Sequence, residues 1–287
     1  DRPVFEAGLV DAGRDWVGQA EEARAELYFR DEAGARKARV ELSRRFPALA
    51  LSEPEHQQEQ DWNAVWRASF TGIDVPPYFR VIPPWKAEED ALRASGRAEG
   101  GPGRRLVINP GAGFGTGTHE TTRLCLMCVG LACTEWAQTP GGVSARRVLD
   151  FGSGSGILAV AAASRGATAH GVEIDPLAND NATENASLND VSERVHFWLA
   201  LEPGIHDGPY DLVLANILRP VLIEFCSELT ARVRREGGVL ALSGLVEPDV
   251  APVTTVYRQS FASRGIRFAE EVMMDGEWRC IRYRTLP

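Results

Sequence analysis

Short apolar runs alternate with longer stretches of helical periodicity across the second half of the chain. Four runs have the character of buried strands, at residues 148–151, 169–174, 212–215 and 239–242, and stretches long enough for helices, such as 157–165, separate them. Parallel strands covered on both faces appear as continuous apolar runs of this kind. The pattern predicts an α/β fold with a doubly wound, mostly parallel sheet, which binds its ligands at the carboxyl ends of the strands.

The first part of the chain has a different organisation. Residues 1–52 predict a small α+β domain, with a strand at 25–29 and a helix at 33–45. Residues 53–104 begin with a run of polar residues and end in a charged, glycine-rich stretch, so we interpret them as a linker and connecting segment that includes a mobile loop. The second domain is then expected to span residues 105–287.

Charge and length narrow the possible functions. The chain has 287 residues, enough for about two domains. Its 31 basic and 40 acidic residues give a net charge of −9, which argues against general nucleic-acid binding and permits a basic partner. The longest apolar run falls far short of the roughly 18 residues that suggest a membrane span. We expect a cytoplasmic protein that is a monomer and contacts neither membrane nor nucleic acid directly.

Three of the five cysteines lie in one apolar stretch that has the character of a helix. Cys125 and Cys128 have C-x-x-C spacing, and Cys133 follows them. Neither a second C-x-x-C nor a closely spaced histidine pair completes a zinc site. The pattern therefore predicts buried structural cysteines, and we expect no metal site.

A glycine-rich turn follows the strand at 148–151 and opens a helix. Gly152, Gly154 and Gly156 alternate with serines, and glycine allows the tight turn and close approach that a bound ligand needs. A dinucleotide-binding fingerprint requires G-x-G-x-x-G, but Ile157 stands where the third glycine would be. A triphosphate-binding loop is also missing, because G-x-x-x-x-G-K-[ST] occurs nowhere in the sequence.

Acidic residues flank this turn on two strands. Asp150 precedes it by two residues, and Glu173 ends the next predicted strand about twenty residues further on, where a carboxylate can accept ribose hydroxyls. Asp175 is expected to cap the helix that begins at Pro176. The combination resembles the S-adenosylmethionine-dependent methyltransferases that have a Rossmann-like core. A turn that serves only helix packing remains the alternative.

Asn216 ends the third predicted strand of the sheet. Its carboxamide offers an acceptor and two donors at the mouth of the predicted pocket. Asparagine is also a frequent turn former, so a functional role and a structural role both remain open.

Residues 109–122 carry a Gly-Thr-Gly-Thr-His-x-Thr-Thr signature and resemble the bacterial ribosomal protein L11 methyltransferases, the PrmA family. Further matches to that family are Asp61, Trp62, Asn63, Trp66, the Pro-Pro-Trp at 83–85, the Asn-Ile-Leu at 216–218 and the Gly-Glu-Trp at 276–278. The resemblance extends from about residue 61 to the end of the sequence. Asn109 departs from the family pattern, where aspartate is usual, as do Gly113, where alanine is usual, and Glu173, where a shorter aspartate is usual.

The resemblance implies an enzyme that uses S-adenosyl-L-methionine to methylate lysine and α-amino groups of a ribosomal large-subunit protein, L11. The cofactor-binding residues are then expected to be Thr122, Asp150, Gly152, Gly154, Gly156, Glu173 and Asn216. Asn216 and His119 are the candidate catalytic residues, and His119 either orders its loop or relays a proton. The resemblance also implies that the small amino-terminal domain is ferredoxin-like and docks the substrate, although its first strand is not identifiable.

Three alternatives remain at this point. The first is a related protein lysine methyltransferase with another target, such as an electron-transfer flavoprotein subunit. The second is a nicotinamide-dependent oxidoreductase, which Ile157 disfavours. The third is a binding module that keeps the fold without activity, which the intact glycines, Glu173 and Asn216 disfavour.

Overall fold

The computed structural model describes residues 27, 29, 31–54, 72–87, 103–110, 120–200 and 208–287, and the chain divides into two compact units, 1–65 and 66–287. In the first unit, helix α1 spans Glu32–Arg45, and the Asp31 carboxylate caps it by accepting a 2.6 Å hydrogen bond from the Gly34 backbone N–H. The predicted helix at 33–45 is confirmed. The predicted strand at 25–29 lies largely outside the described residues.

A three-stranded sheet opens the second unit. It consists of β1 (Ile73–Val75), β2 (Phe79–Ile82) and β3 (Arg104–Val107); β2 pairs antiparallel with β1 and parallel with β3. A 3₁₀ turn, Pro84–Lys86, follows β2. The inward side chains of these strands belong to the hydrophobic core of the second unit. Residues 72–87, assigned from sequence to a connecting segment, thus contribute two strands.

The main sheet has seven strands: β4 (Arg147–Phe151), β5 (Thr168–Glu173), β6 (Val195–Leu199), β7 (Leu212–Asn216), β8 (Val239–Val246), β9 (Phe268–Asp275) and β10 (Trp278–Thr285). Their order is β6-β5-β4-β7-β8-β10-β9. The first five in that order are parallel, and β10 runs antiparallel to both of its neighbours. The four strands predicted from apolar runs are confirmed as β4, β5, β7 and β8.

Helices cover both faces of this sheet: α2 (Glu120–Trp136), α3 (Ile157–Ser164), α4 (Pro176–Leu188), α5 (Arg219–Glu224), α6 (Cys226–Arg232) and α7 (Glu247–Ser263). One core forms where α2 and α3 pack on the sheet, and a second forms beneath α6 and α7. The predicted doubly wound α/β fold is confirmed. Strand order reverses beside β4, and a ligand crevice forms at such a switch point.

Local sequence explains two helices near that crevice. Every α3 residue except the last is buried, which matches its unbroken apolar sequence. α4 begins as predicted, with Pro176 in its first turn and the Asp175 carboxylate accepting a 2.9 Å hydrogen bond from the Leu177 N–H. The predicted helical cysteines lie buried in α2 and are free thiols.

Candidate active site

The glycine turn joins β4 to α3 and is tied to β5. Gly152 and Ser153 donate their backbone N–H groups to the Val172 carbonyl oxygen, at 2.9 and 3.0 Å. Gly152 has a φ of +75°, and a Cβ placed there would lie 2.5 Å from the Ile217 Cγ2 atom. Gly156 has a φ of +72°, and a Cβ there would lie 2.6 Å from the Phe197 ring. Backbone conformation and close packing therefore both require glycine in this turn.

Glu173 places its carboxylate against the glycine turn. One oxygen, Oε2, accepts a 2.7 Å hydrogen bond from the Gly154 N–H, and the other, Oε1, accepts hydrogen bonds from the Ile174 and Asp175 N–H groups at 2.7 and 3.2 Å. Charge-assisted bonds of this kind are stronger than neutral ones. The longer side chain at a position where the family resemblance expects aspartate thus reaches the turn directly.

Asp150 lies beneath the same turn and is almost completely buried. Its Oδ2 atom accepts a 3.1 Å hydrogen bond from the Ala159 N–H, in the first turn of α3. The pKa of this carboxyl is raised to about 8, chiefly by burial and to a smaller extent by the nearby Glu173 carboxylate, while the hydrogen bond from the Ala159 N–H acts to lower it. Asp150 therefore stabilises the start of α3, directly after the glycine turn.

The donor set of this region fits a nucleoside without phosphate. A pyrophosphate binds to free N–H groups at a glycine turn and a helix N-terminus. Here the Gly154 N–H is bonded to Glu173, and the Ala159 N–H is bonded to Asp150. These carboxylates occupy two of the donors and disfavour a phosphate, whereas Glu173 suits ribose hydroxyls. We call Asp150, Glu173 and the glycine turn the nucleoside half of the site.

Asn216 lies at the carboxyl end of β7, the strand that pairs with β4 opposite β5. Its Nδ2 atom donates to the buried Thr122 hydroxyl oxygen at 3.4 Å, so the structure brings together two residues that are 94 positions apart in sequence. Thr122 belongs to the first turn of α2. His119, the other candidate catalytic residue, lies outside the described residues.

β8 supplies a residue that the sequence analysis missed. Ser243 pairs with Asn216 in the sheet, and its hydroxyl donates to the Thr121 carbonyl oxygen at 3.2 Å. The next residue, Gly244, has a φ of +85°, and a Cβ there would lie 2.7 Å from the Ile217 carbonyl oxygen. The strand predicted at 239–242 stopped one residue short of this pair. We call Asn216, Thr122 and Ser243 the acceptor half of the site.

The fold and the nucleoside half define the class: a methyltransferase with a Rossmann-like core of the type that uses S-adenosylmethionine. The family model "Ribosomal protein L11 methyltransferase (PrmA)" matches residues 5–285. The chain belongs to the ribosomal protein L11 methyltransferase family.

Individual relatives agree with this assignment. The ribosomal protein L11 methyltransferase of Trichlorobacter lovleyi is 38% identical over 231 residues, which cover 80% of this chain and 69% of the relative. That of Thiobacillus denitrificans is 39% identical over 204 residues, covering 71% of this chain and 61% of the relative. The chain thus spans about two thirds of the length of these relatives. The crystal structure of a Lactobacillus delbrueckii subsp. bulgaricus ribosomal protein L11 methylase matches the fold, with a TM-score of 0.57 and 24% identity over 75% of this chain and 99% of that one.

These comparisons confirm the predicted family, fold class, enzyme class and cofactor class. They do not favour the alternative of another protein target. A nicotinamide dinucleotide is disfavoured as well, because the Gly154 and Ala159 N–H groups that could bind its pyrophosphate are bonded to Glu173 and Asp150. Within the described residues, none of the helices has both the length and the apolar character needed to cross a bilayer. The roles of the individual site residues remain predictions.

Proposed function

We propose that this chain transfers methyl groups from S-adenosylmethionine to lysine and α-amino groups of ribosomal protein L11. The observation that carries the proposal is the pairing of a nucleoside half, which disfavours phosphate, with a neutral acceptor half on the neighbouring strands. Family membership supports the same substrate. The relatives' names make L11 the substrate to test first.

In the nucleoside half, the Glu173 carboxylate would accept the ribose hydroxyls, and the glycine turn would allow the nucleoside to lie close to the backbone. When bound, S-adenosylmethionine supplies a methyl group already activated by a positive sulfonium. The Glu173 carboxylate beside the turn would also favour a cation over an anion. This half therefore binds and orients, and needs no acid or base of its own.

In the acceptor half, Asn216 would hold the incoming amine, in addition to the contact with the cofactor that the family resemblance implies for both Asn216 and Thr122. Because its Nδ2 atom donates to the Thr122 hydroxyl, its Oδ1 atom remains oriented to accept a hydrogen bond from an amine N–H. Catalysis then depends on positioning and on exclusion of water. An amine must be neutral to react, and lysine has an unperturbed pKa near 10.4, so a desolvating pocket that lowers this pKa would help.

His119 would act in one of two ways, as an ordering residue of its loop or as a proton relay from the substrate ammonium. The two roles differ in their pH dependence. The substitution His119→Gln removes the titrating ring. An unchanged pH–rate profile in this variant would eliminate the relay and leave loop ordering.

The docking of L11 is assigned to the small amino-terminal domain, residues 1–52, by its resemblance to the family. We further propose that the protein works as a cytoplasmic monomer and binds neither nucleic acid nor membrane directly. The net charge of −9 supports a substrate whose reactive groups are cationic amines.

The experiment is an intact-mass measurement of unmethylated L11 after incubation with this chain and S-adenosylmethionine. We expect a ladder of roughly 14-dalton steps, which is absent without the cofactor and forms about 100-fold more slowly with Asn216→Ala. If L11 gains no mass although calorimetry shows S-adenosylhomocysteine binding, L11 is the wrong substrate for this chain. If that ligand does not bind, the methyltransferase proposal itself fails.

A further inference from the structure

Three asparagines on and beside α4 occur at four-residue intervals and so lie on one face: Asn181, Asn185 and Asn189. This asparagine row faces the backbone of residues 107–109, which begins at the last residue of β3 and ends at the first residue of the signature segment. Asparagine is a poor choice for a helix interior on propensity alone, because its side chain competes for backbone hydrogen bonds. The presence of three asparagines on one helix face is therefore explained by the contacts that their side chains make.

Two of these carboxamides pair with alternate residues of the extended segment. The Asn189 Oδ1 atom accepts from the Val107 N–H at 2.8 Å, and its Nδ2 atom donates to the Val107 carbonyl oxygen at 2.6 Å. Asn185 does the same with Asn109, at 2.7 and 3.0 Å. Each carboxamide supplies the acceptor and donor that a neighbouring strand would otherwise provide.

Asn185 makes one further bond, which distinguishes it from Asn189. Its Nδ2 atom also donates to the Ser155 carbonyl oxygen, at 2.9 Å, within the glycine turn. The corresponding third bond of Asn189 returns to its own helix, at the Asn185 carbonyl oxygen, at 2.7 Å. Asn185 is completely buried. A single carboxamide thus joins the glycine turn to residue 109, where the signature segment begins.

Asn109 itself fits this arrangement. Its Nδ2 atom lies 3.3 Å from both carboxylate oxygens of Glu184, which is the helical neighbour of Asn185. An aspartate at 109, which the family pattern would lead one to expect, would oppose the Glu184 charge. The exchange to asparagine is therefore consistent with α4 holding this segment.

We propose that Asn185 is a positioning residue that couples the glycine turn of the nucleoside half to residue 109, the first residue of the signature segment. The proposal rests on the proposed function, because it makes cofactor affinity depend on a residue that does not touch the cofactor. Loss of the carboxamide would remove three hydrogen bonds, two to the backbone of Asn109 and one to the Ser155 carbonyl oxygen in the turn. The turn and the segment would then no longer hold each other in place.

Asn189 provides the matched control, because Asn185→Ala and Asn189→Ala each remove one carboxamide and three hydrogen bonds. Calorimetry of the full chain with S-adenosylhomocysteine gives the Kd, and thermal unfolding gives the Tm. We expect Asn185→Ala to raise the Kd about tenfold and Asn189→Ala to change it less than about twofold. Both variants should lower the Tm.

A third variant separates positioning from simple loss of stability. Asn185→Asp keeps the size of the side chain and its acceptor oxygen. It replaces the Nδ2 group, which donates to the Asn109 and Ser155 carbonyl oxygens, with an oxygen that cannot donate while it is ionised. Its Kd should exceed the wild-type value most at pH 8 and approach it at pH 5, as the carboxyl gains a proton to donate.

Equal Kd changes in the two alanine variants, or an unchanged Kd in Asn185→Ala, would overturn the coupling while the proposed function stands. Failure of the unaltered chain to bind S-adenosylhomocysteine would overturn the proposed function, and the coupling with it.

Discussion

The two halves of the site use different chemistry. The nucleoside half places carboxylates on backbone N–H groups, Glu173 on Gly154 and Asp150 on Ala159. The acceptor half uses neutral groups, with the Asn216 carboxamide on the Thr122 hydroxyl and no described carboxylate bonded to either. The negative charge of Glu173 thus lies in the half that would bind a cationic nucleoside, whereas the groups that would hold the amine are neutral. We therefore expect that cofactor binding and methyl transfer can be altered separately.

Substitution of Asn216 should have the largest effect, and it should affect methyl transfer rather than cofactor binding. Asn216→Ala should lower kcat about 100-fold, because a single preorganised polar group at a reacting centre typically contributes that much. The Kd for S-adenosylhomocysteine should change by less than about fivefold. Single-turnover kinetics and calorimetry measure the two quantities, and an unchanged kcat would remove Asn216 from the mechanism.

Glu173 should give the opposite result. Glu173→Ala removes a charged acceptor that is bonded to the turn, and we expect the Kd for S-adenosylhomocysteine to rise about 10-fold to 100-fold. Glu173→Gln keeps the length of the side chain but not its charge. Its Kd should lie between the values for the unaltered chain and for Glu173→Ala. A Kd equal to that of the unaltered chain in both variants would contradict the assignment of the nucleoside half.

Gly152 tests the geometry where the two halves meet. Gly152→Ala places a Cβ 2.5 Å from the Ile217 Cγ2 atom at a φ of +75°, and we expect a loss of about 1–3 kcal/mol in the free energy of unfolding. Urea unfolding measures it. In Gly152→Ala combined with Ile217→Ala, the clash is relieved and the backbone strain remains. If Ile217→Ala restored none of the free energy of unfolding that Gly152→Ala loses, the contact between the new Cβ and Ile217 would not be the cause of that loss.

Asp150 provides the smallest and most specific test. Because burial raises its pKa to about 8, the folded protein retains a proton that the unfolded chain releases near pH 4, so stability falls as the pH rises between these values. Asn cannot ionise and keeps an acceptor for the Ala159 N–H. The difference in free energy of unfolding between Asp150→Asn and the unaltered chain should therefore shift by about 1 kcal/mol in favour of the variant from pH 7 to pH 8. Parallel stability curves for the two proteins would contradict this.

The strands that could be predicted, β4, β5, β7 and β8, lie inside the sheet and have mostly apolar sequences. β6 and β9 are edge strands with polar positions, and β10, although it lies inside the sheet, carries three arginines. In β9, Glu270 and Glu271 bind arginines on α7 and β10. Such charges conceal a strand from an analysis of apolar periodicity.

The site divides in the same way. The glycines, Glu173 and Asn216 could be predicted because spacing along the chain places them at strand ends. Ser243 and Asn185 could not, since their partners lie 122 and 30 to 76 positions away in the sequence. A serine in a strand or an asparagine in a helix carries no local sign of such a contact.

The most direct test of two separable halves is the initial rate of L11 methylation as the S-adenosylmethionine concentration is raised. We expect Glu173→Ala to approach the wild-type rate at high cofactor concentration, because only binding is weakened. Asn216→Ala should remain slow at every concentration. Recovery of Asn216→Ala by added cofactor, or failure of Glu173→Ala to recover, would contradict the division of labour between the two halves.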